Sequence, residues 1–193
     1  MEAIILKCPG CGAGLDKEVE TCGYCQSPVI IKSFRTVKSM PLPQINKLIS
    51  GYAAEGTGTP LVAFSLGLCQ LRLKLYDKAL KCFEQSMGQD AENADAYFYA
   101  CVCLLKGTKA FLLSKDDAEK CVEYLNAANI IKPSALYYLF LSYIKLDFYK
   151  RKFFGVSPDW EEEFATAQEY ELSAEDIEFL FDMLQTETPT QFA

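Results

Sequence analysis

The stretch LGLCQLRLKLYDKALKCFEQSM, Leu66 to Met87, decides the fold. It reads as two short helices broken at Tyr76-Asp77, with Thr59-Pro60 opening the first and Gly88 closing the second. Proline fits the first turn of a helix, where its missing N–H has no partner to lose, and glycine suits the turn that ends one. Working outward, the same punctuation recurs. Asn93 opens a run to about Leu105, Ser114-Lys115-Asp116-Asp117 forms a capping box, Pro133-Ser134 resets the chain, and Gly155 ends a segment that begins at Ala135. No alternating strand pattern follows residue 32. The expectation is a mainly α chain of helical hairpins.

The residues of the hairpin carry a family resemblance. Leu66-Gly67, then Ala79, Phe83 and Ser86, make the segment similar to a tetratricopeptide repeat, which places small residues where two antiparallel helices touch. Tyr97, Ala100 and Cys101 fit the first helix of a second unit, and Cys121, Leu125, Ala128 and Pro133 its second helix and exit. Tyr138, Leu141 and Ser142 fit a third first-helix. The second unit is about eight residues longer than the family period around Lys106 to Ser114, and the third has a second helix only if 158–169 supplies it. The resemblance implies a solenoid whose first helices line a groove for a partner protein's peptide or helix. Projected onto this chain, the groove takes Phe64, Leu68 and Arg72 from the first unit, Phe98, Val102 and Lys106 from the second, and Leu139 and Tyr143 from the third. The competing reading for each apolar member is burial in the core.

At the other end, Cys8-Pro9-Gly10-Cys11-Gly12 and Cys22-Gly23-Tyr24-Cys25 are two knuckles separated by ten residues. Each aims two thiolates at one point, and two knuckles complete a tetrahedron around one structural zinc bound by Cys8, Cys11, Cys22 and Cys25. Four thiolates leave no open position for water or substrate. A redox pair of thioredoxin type would sit at a strand-to-helix junction, and neither a Trp beside the first Cys nor a helical pattern follows here. The segment resembles the short zinc-ribbon family found at the ends of many bacterial proteins, with Val29-Ile30-Ile31 as its closing strand. It departs at Gln26, where that family often has Gly. Having no core of its own, the ribbon is expected to be energetically separable from the helices. The other five cysteines (Cys69, Cys82, Cys101, Cys103 and Cys121) lie in apolar helical runs and read as buried hydrophobes.

These readings divide the chain into a zinc ribbon at 1–32, a linker with a short amphipathic helix at 33–58, tetratricopeptide-like repeats at 59–155 and acidic C-terminal helices with a tail at 156–193. The linker helix carries Ile45, Leu48, Ile49 and Tyr52 on one face and closes at Gly56-Thr57-Gly58. In the tail, Ser157-Pro158 opens a helix bearing Trp160, Phe164 and Ala167. Ser173 caps another bearing Ile177, Leu180, Phe181 and Leu184, and a capping role on the repeats is expected for both. Thr186 to Ala193, polar and interrupted by Pro189, is expected to be mobile.

Composition bounds the function. The 193 residues are 50% apolar and 23% charged, an ordinary globular mixture, and they include no histidine, the commonest general base and metal ligand. Without a Gly-rich phosphate loop or an activated nucleophile, the expectation is a protein that is not an enzyme. Net charge is −7, concentrated at the end: from Phe153 onward there are eleven acids and no Lys or Arg. Such a block repels phosphate and anionic lipid, which argues against nucleic acid and membrane partners. The opening MEAIILK is too short for a signal core, so a cytoplasmic location is expected, as a monomer or weak oligomer. The function expected is an adaptor or chaperone-like scaffold. The alternative is a regulatory nucleic-acid-associated protein whose ribbon contacts RNA or DNA while the repeats recruit partners.

Overall fold

The computed structural model describes residues 7–15, 19–55 and 58–192; the Asp16–Glu18 charges, the Gly56-Thr57 helix closure and Ala193 lie outside them. Among the described residues the chain is mainly helical, with no strand beyond two isolated bridges, Lys7 with Gly14 and Thr21 with Pro28. No described helix is long and apolar enough to cross a membrane. The chain falls into two compact units, residues 1–91 and 92–193.

In the first unit the cysteine segment leads into α1 (Phe34–Lys38), α2 (Leu42–Glu55), α3 (Pro60–Arg72) and α4 (Tyr76–Gln89). α1 is a single turn that the pattern did not announce, capped by Ser33 and held by buried Phe34 and Val37. α2 buries Ile45, Leu48 and Tyr52 of the stripe expected of it, and Ile49, its fourth member, is half-buried. Thr59 caps α3 by accepting from the Val62 amide. The α3–α4 hairpin is close because Gly67 has no side chain: a Cβ there would lie 2.8 Å from the Phe83 ring. Phe83 instead packs edge-on against Phe64, with centroids 5.7 Å apart.

The second unit contains α5 (Ala94–Leu105), α6 (Lys115–Ile131), α7 (Ala135–Ile144), α8 (Trp160–Glu169) and α9 (Ala174–Leu184). α5 pairs with α6 and α7 with α8, so α8 supplies the second helix that the third hairpin lacked in the sequence. Its cap is Asp159, in a capping box with Glu162, rather than Ser157. Beyond α7 the backbone widens into a π-helical turn, Lys145–Lys150. That turn buries two charges. Lys145 donates to the Pro158 carbonyl and to Glu163 of α8, and Asp147 accepts from the Phe111 amide and Arg151. α9, capped by Ser173 in a box with Asp176, lies on α7 and α5 and buries Leu180, Phe181 and Leu184. The tail expected to be mobile is anchored: a 3₁₀ turn at Thr190–Phe192 seats Phe192, 3% exposed, against Trp160, Phe164 and Phe181. One aromatic side chain with an open apolar site outweighs the polar composition around it.

The five helical cysteines are buried as expected. Burial pushes the thiols of Cys69 and Cys82 up to about 12 and about 11, and raises that of Cys101. All three are inert thiols at neutral pH.

Candidate metal centre

The two knuckles are near copies of each other. In the first, the Cys8 amide donates to Ala13 O and the Gly12 amide returns to Cys8 O; in the second, the Cys22 amide donates to Ser27 O and the Gln26 amide returns to Cys22 O. The residue after the second cysteine is left-handed in both, Gly12 at φ 76° and Gln26 at φ 58°. Gln26 therefore takes in the second knuckle the left-handed backbone that Gly12 takes in the first, and its side-chain amide donates to Gly23 O. Gly10 lets the knuckles close on each other, since a Cβ there would lie 2.7 Å from Ser27 Oγ and 3.3 Å from Cys25 Sγ.

The four sulfurs lie within 4.8 Å of one another, with Cys8–Cys25 at 3.5 Å and Cys11–Cys22 at 3.7 Å. A tetrahedron with metal–sulfur bonds of about 2.3 Å has edges of about 3.8 Å, so the set fits a four-coordinate ion that accepts thiolates. The Gly10 amide donates to Cys8 Sγ at 3.3 Å, a bond that favours thiolate. Hydrogen bonding from Ser27 holds the Cys25 thiol down to about 6, whereas burial pushes Cys8 up to about 12. Cys22 is lowered by the backbone amides of Cys25 and Tyr24.

The segment does not stand apart from the helices, and the expectation of a separable ribbon is corrected here. Pro9 sits on α2 at Gly51, where a Cβ would lie 2.1 Å from Pro9 O. Ser27 Oγ accepts from Gln44 of α2, and the buried Tyr52 hydroxyl donates to Val29 O. Val29-Ile30-Ile31 forms no strand; the polar groups of Ile31 pair with one side chain of α3, its amide donating to Ser65 Oγ and its carbonyl accepting from that hydroxyl. Local spacing locates the four ligands. It carries no signal for Gly51, Tyr52 or Ser65, which hold the ligands against the helices.

The expected groove is corrected too. Phe64, Leu68, Phe98, Val102, Leu139 and Tyr143 are all buried. Phe98 packs among Tyr137 and Phe140, and Tyr143 is covered edge-on by Phe181 of α9, the chain's own C-terminal helix. Of the two basic members, Arg72 is half-buried at the end of α3 and Lys106 is exposed at the left-handed C-cap of α5. Apolar helix faces this wide need covering, and within the second unit α9, lying on α5 and α7, supplies part of that cover. No protein-family model matches the chain, and no curated protein matches it.

Proposed function

We propose that the chain is a non-enzymatic interaction protein whose four cysteines hold one structural zinc and whose hairpins are tetratricopeptide-like. The observation that carries this reading is the sulfur set itself, four thiols at tetrahedral spacing: as thiolates on a zinc ion they would fill every position and leave no place for substrate or water. Such a site shapes the chain. Gly67 under Phe83 supports the repeat reading, because it has the close-contact role of the family's glycine.

What remains for function is surface, and the reading assigns that surface to a protein partner. The test is native purification of the tagged full chain with metal analysis. A protein partner in fixed stoichiometry supports the reading, and a chain that binds none in repeated native preparations contradicts it. The nucleic-acid reading keeps one favouring observation, Tyr24 at the tip of the second knuckle, 81% exposed and able to stack on a base. A salt-sensitive shift of random RNA or DNA, lost in Tyr24→Ala, would favour it.

A further inference from the structure

The two knuckles differ at one position that bears on the sulfurs. Ala13 and Ser27 stand at the same place, each two residues past its knuckle's second cysteine and each accepting the amide of the first, Cys8 N to Ala13 O and Cys22 N to Ser27 O. The first knuckle has a methyl there and the second a hydroxyl. Ser27 is 3% exposed, and a hydroxyl buried that deeply costs stability unless it is hydrogen-bonded.

Both ends of this hydroxyl are used. Its oxygen accepts from Nε2 of Gln44, in the first turn of α2, at 3.0 Å. An amide nitrogen only donates, so that bond takes a lone pair of Ser27 Oγ and leaves the proton for another acceptor. That acceptor is the Cys25 sulfur, which takes one hydrogen bond from the Ser27 hydroxyl and another from the Ser27 amide. Ser27 Oγ and Cys25 Sγ crowd the same point, 2.7 and 3.3 Å from where a Cβ on Gly10 would lie. Cys11, the equivalent ligand of the first knuckle, receives the Ala13 amide, and Ala13 has no side-chain donor to add. Four thiolates on one divalent cation leave two net negative charges, and Cys8 and Cys22 are buried. Each donor aimed at a sulfur spreads that charge, and hydrogen bonds to an ionised acceptor are about twice as strong as neutral ones.

We propose that Ser27 is a positioning residue of the metal centre, its hydroxyl proton aimed at the Cys25 sulfur by Gln44, so that α2 sets how tightly the metal is held. This rests on the zinc reading above and adds the contact through which a helix acts on the site. The competing role is packing alone, with Ser27 merely joining the knuckle to α2, and packing makes no demand on the direction of the proton.

The test is metal binding by the full, reduced chain. Zinc affinity is measured by competition against a chromophoric chelator, and cobalt(II) is the spectroscopic stand-in whose sulfur-to-metal charge-transfer band reports on the ligand sulfurs. Ser27→Ala should weaken zinc binding about 10–100-fold, the usual range for a lost outer-shell partner. It should also move the charge-transfer band to longer wavelength, because a sulfur without its hydrogen bond gives up charge more readily. Gln44→Glu should do the same with Ser27 intact: a carboxylate accepts rather than donates, so it draws the hydroxyl proton off the sulfur. Gln44→Met, with no strong donor or acceptor, leaves the proton on Cys25 and should leave the band in place. Zinc affinity and cobalt band both unchanged in Ser27→Ala overturn the proposal. So does weaker binding with an unmoved band, the mark of a packing role, and so do Gln44→Glu and Gln44→Met variants that share one band. In each of those results the unaltered chain still binds metal and the zinc reading stands; an unaltered chain that takes up neither zinc nor cobalt sinks both.

Discussion

Gly51 of α2 lies directly against Pro9 of the first cysteine knuckle, so close that a Cβ at 51 would sit 2.1 Å from the Pro9 carbonyl oxygen and 2.4 Å from its Cα. The obstacle is backbone, which cannot swing aside as a side chain can. Gly51→Ala should therefore destabilise the first unit by about 3 kcal/mol, the upper end for overpacking, although alanine favours a helix in isolation. Urea unfolding read on the helical signal checks this. The Gly88→Ala change near the end of α4, where a Cβ meets nothing within 4 Å, is the control and should be neutral or mildly stabilising.

Lys145 and Glu163 form an ion pair with side chains 2% and 6% exposed, joining the π-helical turn to α8. Removing one partner leaves a buried charge. Lys145→Met should cost about 3–5 kcal/mol, whereas Lys145→Met with Glu163→Leu should recover most of the loss. A double-mutant cycle on the full chain measures the difference.

Phe192 closes the second unit from the far end of the sequence. Phe192→Ala should destabilise by about 3 kcal/mol and leave Trp160, Phe164 and Phe181 partly wet. The check is the thermal midpoint together with tryptophan emission, which should shift to longer wavelength, since Trp160 is the chain's one tryptophan.

Metal uptake should depend steeply on pH. Metal binding needs all four thiolates, and protons compete for them as pH falls. Cys25, held down to about 6, has lost its proton before neutral pH, whereas Cys8, up to about 12, keeps its proton until the metal displaces it. Zinc affinity should therefore fall as pH drops from 8 to 5, most steeply below about 6, where Cys25 also takes up a proton. Titration calorimetry in buffers of different ionisation heat should show fewer than four protons released per zinc at neutral pH.

What the sequence made legible was local. Two knuckles of fixed spacing located the four sulfurs, and Thr59, Asn93, Ser114 and Ser173 each marked a helix start that the structure bears out by a side-chain cap. What stayed hidden depends on partners distant in the chain. Nothing near Tyr143 announces that Phe181 covers it, and nothing near Pro9 announces Gly51. An apolar helix face reads the same whether another protein or the chain's own last helix lies on it. Phe192 was missed for a related reason: composition averages over a segment, and burial is decided by single side chains.

A zinc ion in the four-cysteine site, as proposed above, is part of the fold of the first unit. Apparent zinc-binding energies of about 10–16 kcal/mol equal or exceed the stability of most domains, and here the metal segment contributes Pro9, Val29 and Ile31 to the helices it rests on. The deciding measurement is zinc content and far-ultraviolet circular dichroism of the full, reduced chain before and after chelation. The expected result is one zinc per chain and a partial loss of helical signal on its removal, restored when zinc is returned. Protein prepared without chelator that holds no zinc and has four free thiols, or a helical signal unchanged after the metal is stripped, would contradict it.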